Sequence, residues 1–163
     1  MTFKTPDLCD EFEGELGKTV RVVAPMFQRY GGSASFSGQI VTLKIFEDNS
    51  LVREAFAESG TGKILVIDGG GSLRCALVGD QLAMLARKNG WEGVVVYGCI
   101  RDSGDIAGID IGIRALNTHP QKSIKKGAGD RDIAITFGGV TFHPGEYIYV
   151  DEDGVLVSDK PLR

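Results

Sequence analysis

Arg101-Asp102-Ser103-Gly104-Asp105 places charged side chains directly after an apolar run, Gly93 to Ile100 (GVVVYGCI). Such a run predicts a buried strand, and ligands of open α/β sheets gather outside the carboxyl ends of their strands. An arginine there can clamp a carboxylate through two parallel hydrogen bonds. The aspartate beside it can give one oxygen to a hard cation such as Mg²⁺, with water and substrate filling the other positions. The same residues also read as a solvated turn closed by a local Arg–Asp contact. A second place is Gly79-Asp80-Gln81-Leu82, the start of a predicted helix. Unpaired N–H groups and the positive end of the helix dipole attract anions there. Taken alone, Asp80 reads more readily as an N-cap, which is what Asp most often does there.

Other reactive residues lack partners. Gly69-Gly70-Gly71 follows a predicted strand, but Arg74 stands where a dinucleotide fingerprint needs its third glycine. Gly60-Thr61-Gly62-Lys63 lacks the length and the Ser/Thr of a phosphate loop, so both segments read as tight turns. His119 and His143 have no Ser or Cys at telling spacing and no Gly-x-Ser-x-Gly elbow accompanies them. They read as surface or satisfied histidines. Cys9, Cys75 and Cys99 form no Cys-x-x-Cys pair, which argues against a zinc or redox motif.

The elements that would position these residues follow from pattern. Thr5-Pro6 opens a helix, with Thr5 as its cap, Leu8, Phe12 and Leu16 on one face and Gly17 as its stop. Val20 to Ala24 and the alternating Gln39 to Phe46 read as strands. Asp48-Asn49-Ser50 caps a helix that turns Leu51, Val52, Ala55 and Phe56 inward. Lys63 to Asp68 (KILVID) and GVVVYGCI are continuous apolar strands, as a sheet buried on both faces requires. Between them, Asp80 to Asn89 is a helix with Leu82, Leu85 and Ala86 on one side. A parallel right-handed crossover is expected. Asp132–Phe137, Gly139–Phe142, Tyr147–Val150 and Gly154–Val157 read as short strands of a second, β-rich layer.

The 163 residues suit one mixed α/β domain, 1–163, large enough to fold without disulfide or metal. A net charge of −4 and a pI near 5.2 exclude the basic face that nucleic-acid phosphates need. Lys122, Lys125 and Lys126 make only a small cluster, read as a solvated loop. Met1 to Leu16 is acidic and has no signal-peptide core, and no segment approaches the roughly 18 apolar residues of a membrane span. A cytoplasmic location and no membrane partner are expected.

Asp80, then twenty residues, then Arg101-Asp102, resembles the Asp-x20-Arg-Asp signature of the RraA-like family. Asp105 matches the acidic position that follows it in the aldolase members. PDLCDEFEGEL, FQRYGGSASFSGQIVTLKIFEDNSLVREAF, LVIDGGGSLRCALVGDQLA, NGWEGVVVYGCIRD and FGGVTFHPGEYIYVDEDGVLVSD extend the likeness over nearly the whole chain. The resemblance implies a single-domain, swivelling-domain-like β/β/α fold assembled as a homotrimer. It implies a class II aldolase, dependent on Mg²⁺ or Mn²⁺, that cleaves 4-hydroxy-4-methyl-2-oxoglutarate to two pyruvates and decarboxylates oxaloacetate. The alternative it implies is a metal-independent protein that binds and inhibits ribonuclease E. In family terms the amides of Gly79, Asp80, Gln81 and Leu82 hold the carboxylate of a small 2-oxo acid. Arg101 holds the substrate, Asp102 ligates the metal and Asp105 belongs to its outer shell. Asp80, or a metal-polarised water near Asp80 and Asp105, is the candidate base. FEDNSLVREAF, GGGSLR and GVLVSDKPLR are similar to the regulator branch, whereas Asp102 is the metal-binding residue of the aldolase branch.

Overall fold

In the computed structural model, which describes residues 2–163, the chain begins with helix α1 (Thr5–Glu11) and a 3-10 turn at Glu13–Glu15. Strands β1 (Val20–Val22), β2 (Gln28–Tyr30) and β3 (Phe36–Lys44) lead to α2 (Ser50–Phe56) and β4 (Lys63–Asp68). Then come β5 (Ala76–Val78), α3 (Asp80–Lys88), β6 (Gly93–Ile100), α4 (Ser103–Ile106) and β7 (Gly112–Thr118). The chain ends with β8 (Asp130–Arg131), β9 (Ile135–Phe137), β10 (Val140–Phe142), β11 (Tyr147–Val150) and β12 (Val155–Ser158).

The two apolar runs become adjacent parallel strands, with Val66 opposite Val95. They sit inside a sheet ordered β1-β12-β11-β3-β4-β6-β7-β2, whose middle, β3 through β7, is parallel and whose flanks are antiparallel. Strand alternation explains the layers on either side. Leu65, Ile67, Val94 and Val96 pack with Phe56, Leu82, Ala86 and Trp91 in a core under α2 and α3. Ile64, Val66 and Val95 point the other way, into a core closed by Ile135, Phe137 and Phe142 of the β9–β10 hairpin. The order of layers is therefore hairpin, sheet, helices: the expected β/β/α arrangement. A smaller cluster of Leu8, Val20, Tyr149, Leu156 and Leu162 holds α1 and the C-terminus to the β1–β12–β11 flank. No helix among the described residues is long and apolar enough to cross a membrane.

Several local expectations are corrected. Thr5 is not the cap of α1; Lys4 stands there, and Thr5 donates its N–H and hydroxyl to the carboxylate of Asp151 at 2.6 and 2.7 Å. Phe12 and Leu16 lie beyond the helix end, on either side of the 3-10 turn, yet still pack on the same cluster as Leu8. Of the C-terminal strands only β9 and β10 form the second layer. β11 and β12 join the main sheet, because β11 pairs with β3 from Tyr147–Gln39 to Val150–Phe36. β2, β5 and β7 were not expected at all.

The α2 start shows how a buried carboxylate organises distant chain. Asp48, 3 % exposed, accepts hydrogen bonds from Ser50 N–H (2.9 Å), Ser50 hydroxyl (2.6 Å), Lys126 N–H (2.8 Å) and Ala128 N–H (3.1 Å). Burial works to raise its pKa, but these donors outweigh it and hold the carboxyl at about 2. A pKa depressed below the unfolded value near 3.9 gives stability that is complete above about pH 4 and lost as pH falls towards 2. Asp48→Asn is expected to cost about 2 kcal/mol at pH 7. Denaturant titrations of wild type and variant should converge between pH 4 and pH 2.

Candidate active site

The site is built where two parallel strands stop together. β5 and β6 pair through Val78 and Ile100, and the N–H of Arg101 continues the ladder to Val78 O at 2.9 Å. That bond sets the first residue after β6 against the first residue after β5. On one side Gly79 is the N-cap of α3; on the other, Arg101-Asp102 turns into α4. Asp102 makes the turn in the left-handed region, φ 58° and ψ 38°, which aspartate and asparagine tolerate better than most residues.

The result is a carboxylate seated on a helix end. Asp102 Oδ2 accepts the N–H of Asp80 at 3.1 Å. Gly79 leaves the room for it: a Cβ there would lie 2.8 Å from Asp102 Oδ2 and 3.5 Å from Arg101 Cγ. Asp80 is the first helical residue rather than the cap, and its Oδ1 accepts the N–H of Gln81 at 2.8 Å. The first intrahelical bond is donated by Ala83 to Gly79 O, so the N–H of Leu82 also belongs to the free helix start. Only that N–H can serve the site, since the Leu82 side chain is buried in the core. Arg101 is half-buried as a residue, and its guanidinium rests on the carbonyl of Pro120 in an exposed contact, Nη1 to O 3.4 Å. No ion pair joins it to Asp102 among the described residues.

Of the sequence candidates, Gly79, Asp80, Arg101 and Asp102 are thus brought together. Gln81 and Leu82 contribute backbone. Asp105 lies exposed in α4, its carbonyl accepting the N–H of Gly108 at 3.1 Å. No group of three or more His, Cys, Asp or Glu among the described residues could hold a metal ion. The donor set suits a different kind of cation site. One exposed carboxylate, with Oδ2 tied to an amide and Oδ1 turned to no protein donor, matches a hard, largely hydrated ion such as Mg²⁺.

The other readings resolve physically. The Gly69–Gly71 turn is closed by protein: a Cβ would meet Leu77 at 2.6 Å, Phe46 at 2.6 Å and Tyr97 at 3.1 Å on successive glycines. Glu47 pins that turn, taking a two-pronged ion pair from Arg74 (2.6 and 2.8 Å) and the hydroxyl of Ser72 (2.6 Å), which hold its pKa at about 2. His143 is exposed at the end of β10, and Lys122, Lys125 and Lys126 are exposed, as expected. His119 is half-exposed with its hydrogen bonds satisfied, as expected, and its N–H donates to Ile100 O at 2.9 Å, so it lies beside the strand that leads into Arg101. Two clefts of about 570 and 750 Å³ flank the β11–β12 turn, and neither is lined by Arg101 or Asp102. The site is an open shelf, with Gln81 and Asp102 exposed and Gly79, Asp80 and Arg101 half-exposed.

Comparison with known proteins points the same way. The profile of the RraA-like family, Aldolase/RraA, matches residues 5–157. A Dechloromonas aromatica protein, provisionally named a 4-hydroxy-4-methyl-2-oxoglutarate aldolase, is 85% identical over 99% of both chains. The structure of the RNA-processing inhibitor RraA from Thermus thermophilis superimposes with a TM-score of 0.93 at 41% identity, covering 100% of this chain and 96% of that one. A Geobacillus kaustophilus structure described as an S-adenosylmethionine:2-dimethylmenaquinone methyltransferase has a TM-score of 0.94 at 49% identity, covering 98% and 97%.

Proposed function

Because the chain belongs to the RraA-like family, we propose that it is a divalent-metal-dependent carbon–carbon lyase of the cytoplasm. Its reaction is the cleavage of 4-hydroxy-4-methyl-2-oxoglutarate to two pyruvates, with oxaloacetate decarboxylation as a second activity. The observation that carries this reading is the seating of Asp102 on the α3 N-terminus beside Arg101. Its aldolase-named relatives, 56–85% identical over essentially the full length, support it.

Both reactions pass through the enolate of pyruvate, so one set of groups serves both. Asp102 would hold Mg²⁺ or Mn²⁺, and the ion would supply Lewis-acid stabilisation of the developing enolate oxygen. The positive end of α3 would orient the pyruvyl carboxylate, chiefly through the N–H of Leu82, since those of Asp80 and Gln81 already bond Asp102 Oδ2 and Asp80 Oδ1. Arg101 clamps that carboxylate and adds positive charge where negative charge grows. Asp80 takes the proton from the C4 hydroxyl; the C3–C4 bond then breaks, one pyruvate leaves, and C3 of the other is reprotonated. Its Oδ2 is the atom for that task, since Oδ1 is engaged by Gln81. Asp105 would orient water around the ion. A homotrimer would close the shelf, with a neighbouring subunit walling the substrate in.

A second reading, binding and inhibition of ribonuclease E, rests on the likeness to the Thermus inhibitor. One experiment addresses both. Pyruvate release from each substrate is measured with Mg²⁺ or Mn²⁺, after chelation, and after metal is restored. Turnover that chelation abolishes and metal restores is the expected result; turnover indifferent to metal would remove the lyase reading. Binding to ribonuclease E, by contrast, should survive chelation.

A further inference from the structure

We infer that His119 is a positioning residue for Arg101, acting through the turn that presents the Pro120 carbonyl to the guanidinium. This rests on the role given to Arg101 above. Arg101 ends a strand with an arginine's several free rotors, and a clamp that wanders must be ordered at every binding event. Its Nη1 rests on Pro120 O at 3.4 Å, a long and weak contact that a substrate carboxylate can displace. What matters is therefore where that carbonyl stands, and three hydrogen bonds decide it. The N–H of His119 donates to Ile100 O at 2.9 Å, which ties the entry of the turn to the residue preceding Arg101. The N–H of Gln121 donates to the imidazole Nδ1 of His119 at 3.1 Å, closing the turn around Pro120. Gln121 O then accepts the N–H of Ala76 at 2.8 Å, which ties the exit to β5, the strand that leads into Gly79. The turn thus bridges the end of β6 and the start of β5, the two strands that carry the site.

The imidazole is the one side chain in that circuit. An Nδ1 that accepts leaves the ring proton on Nε2, so the neutral ring has the tautomer the turn needs. An asparagine at the same position can accept the same N–H through its side-chain oxygen, as in turns where Asn bonds the backbone two residues on. Alanine cannot. The turn is further anchored where Ser123, buried, receives the N–H of Asn49 at 3.1 Å and donates to Asn49 Oδ1 at 2.9 Å. Loss of the imidazole therefore loosens the Pro120 carbonyl without releasing the segment.

The test compares His119→Ala, His119→Asn, Arg101→Ala and the Arg101→Ala/His119→Ala pair in oxaloacetate decarboxylation, with thermal midpoints measured alongside. His119→Ala is expected to raise KM about five- to tenfold with kcat changed by less than about threefold, and His119→Asn to restore KM to within about twofold. In the Arg101→Ala background, His119→Ala is expected to add nothing. An unchanged KM in His119→Ala, failure of His119→Asn to rescue it, or effects that multiply in the double variant would each overturn the inference. If Arg101→Ala itself keeps full activity, it is the role of Arg101 as clamp that fails. The crystal structure of His119→Ala decides the positioning role independently of turnover: Arg101 displaced from Pro120 O supports it, and Arg101 unmoved refutes it.

Discussion

Asp102→Asn is expected to lower metal-dependent kcat/KM about 10³-fold, the largest effect of any single change at the site. Three powers of ten correspond to about 4 kcal/mol of transition-state stabilisation, the scale supplied when a bound cation polarises a developing oxyanion. Asparagine is the informative substitution because it changes so little else. It keeps an oxygen for the N–H of Asp80, now 3.1 Å from Asp102 Oδ2, and it tolerates φ 58° nearly as well as aspartate. It removes the charge alone. Asp102→Ala removes the charge, leaves the Asp80 amide to water and strains the left-handed backbone, so it should show the same loss of turnover plus about 1 kcal/mol of stability. Steady-state kinetics with Mg²⁺ titration, read beside denaturation curves, separates the two. Metal-dependent turnover persisting in Asp102→Asn would mean that the carboxylate is not the cation's ligand.

Much of the frame was legible because burial on both faces leaves an unmistakable mark. KILVID and GVVVYGCI were read to the residue, and α3 ends one residue short of the expected Asn89. The strands that escaped notice lack that mark for identifiable reasons. β2 is Gln-Arg-Tyr, an edge strand whose side chains are mostly exposed. β5 has three residues and earns its place only by pairing with the far end of β6. β7 was hidden by Arg114, an apparent interruption of an apolar run. The structure buries it: its guanidinium donates to Ala34 O (2.8 Å), Asp151 O (3.1 Å) and Ile113 O (3.1 Å) and lies over the ring of Phe36 at 5.3 Å. Burial pushes its pKa down to about 10, which still leaves it charged at neutral pH. Apart from the neighbouring Ile113, its partners come from two distant segments, Ala34 to Phe36 and Asp151, so no local pattern announces them.

The site divides in the same way. Asp80 and Arg101-Asp102 are joined in the sequence only by their likeness to the family signature, and the structure supplies the physical reason: one helix and one buried strand separate them, which returns the chain to the same end of the sheet. What was not legible is that Asp105, exposed in the first turn of α4, completes no group of three carboxylates among the described residues. Nor was the closeness of His119, whose approach to Ile100 depends on β7, the strand that was missed.

Gly79 offers the sharpest geometric test of this arrangement. Its backbone is extended, φ −122° and ψ −170°, so alanine meets no conformational penalty there. Gly79→Ala acts through contact alone: the new Cβ would stand 2.8 Å from Asp102 Oδ2, and that oxygen, at the end of an exposed side chain, must yield by several tenths of an ångström. The fold should hardly notice, with stability within about 0.5 kcal/mol of wild type. Turnover should fall about 10²-fold, because displacing a carboxylate by this much at a reacting centre forfeits alignment. Gly104→Ala, whose Cβ meets nothing within 4 Å, is the matched control and should leave kinetics unchanged. In the Asp102→Asn background, Gly79→Ala should cost much less than it does alone, since the group it displaces has already lost its charge. Equal costs in both backgrounds would show that the glycine serves the helix start directly, as room for a substrate carboxylate, rather than the seat of Asp102.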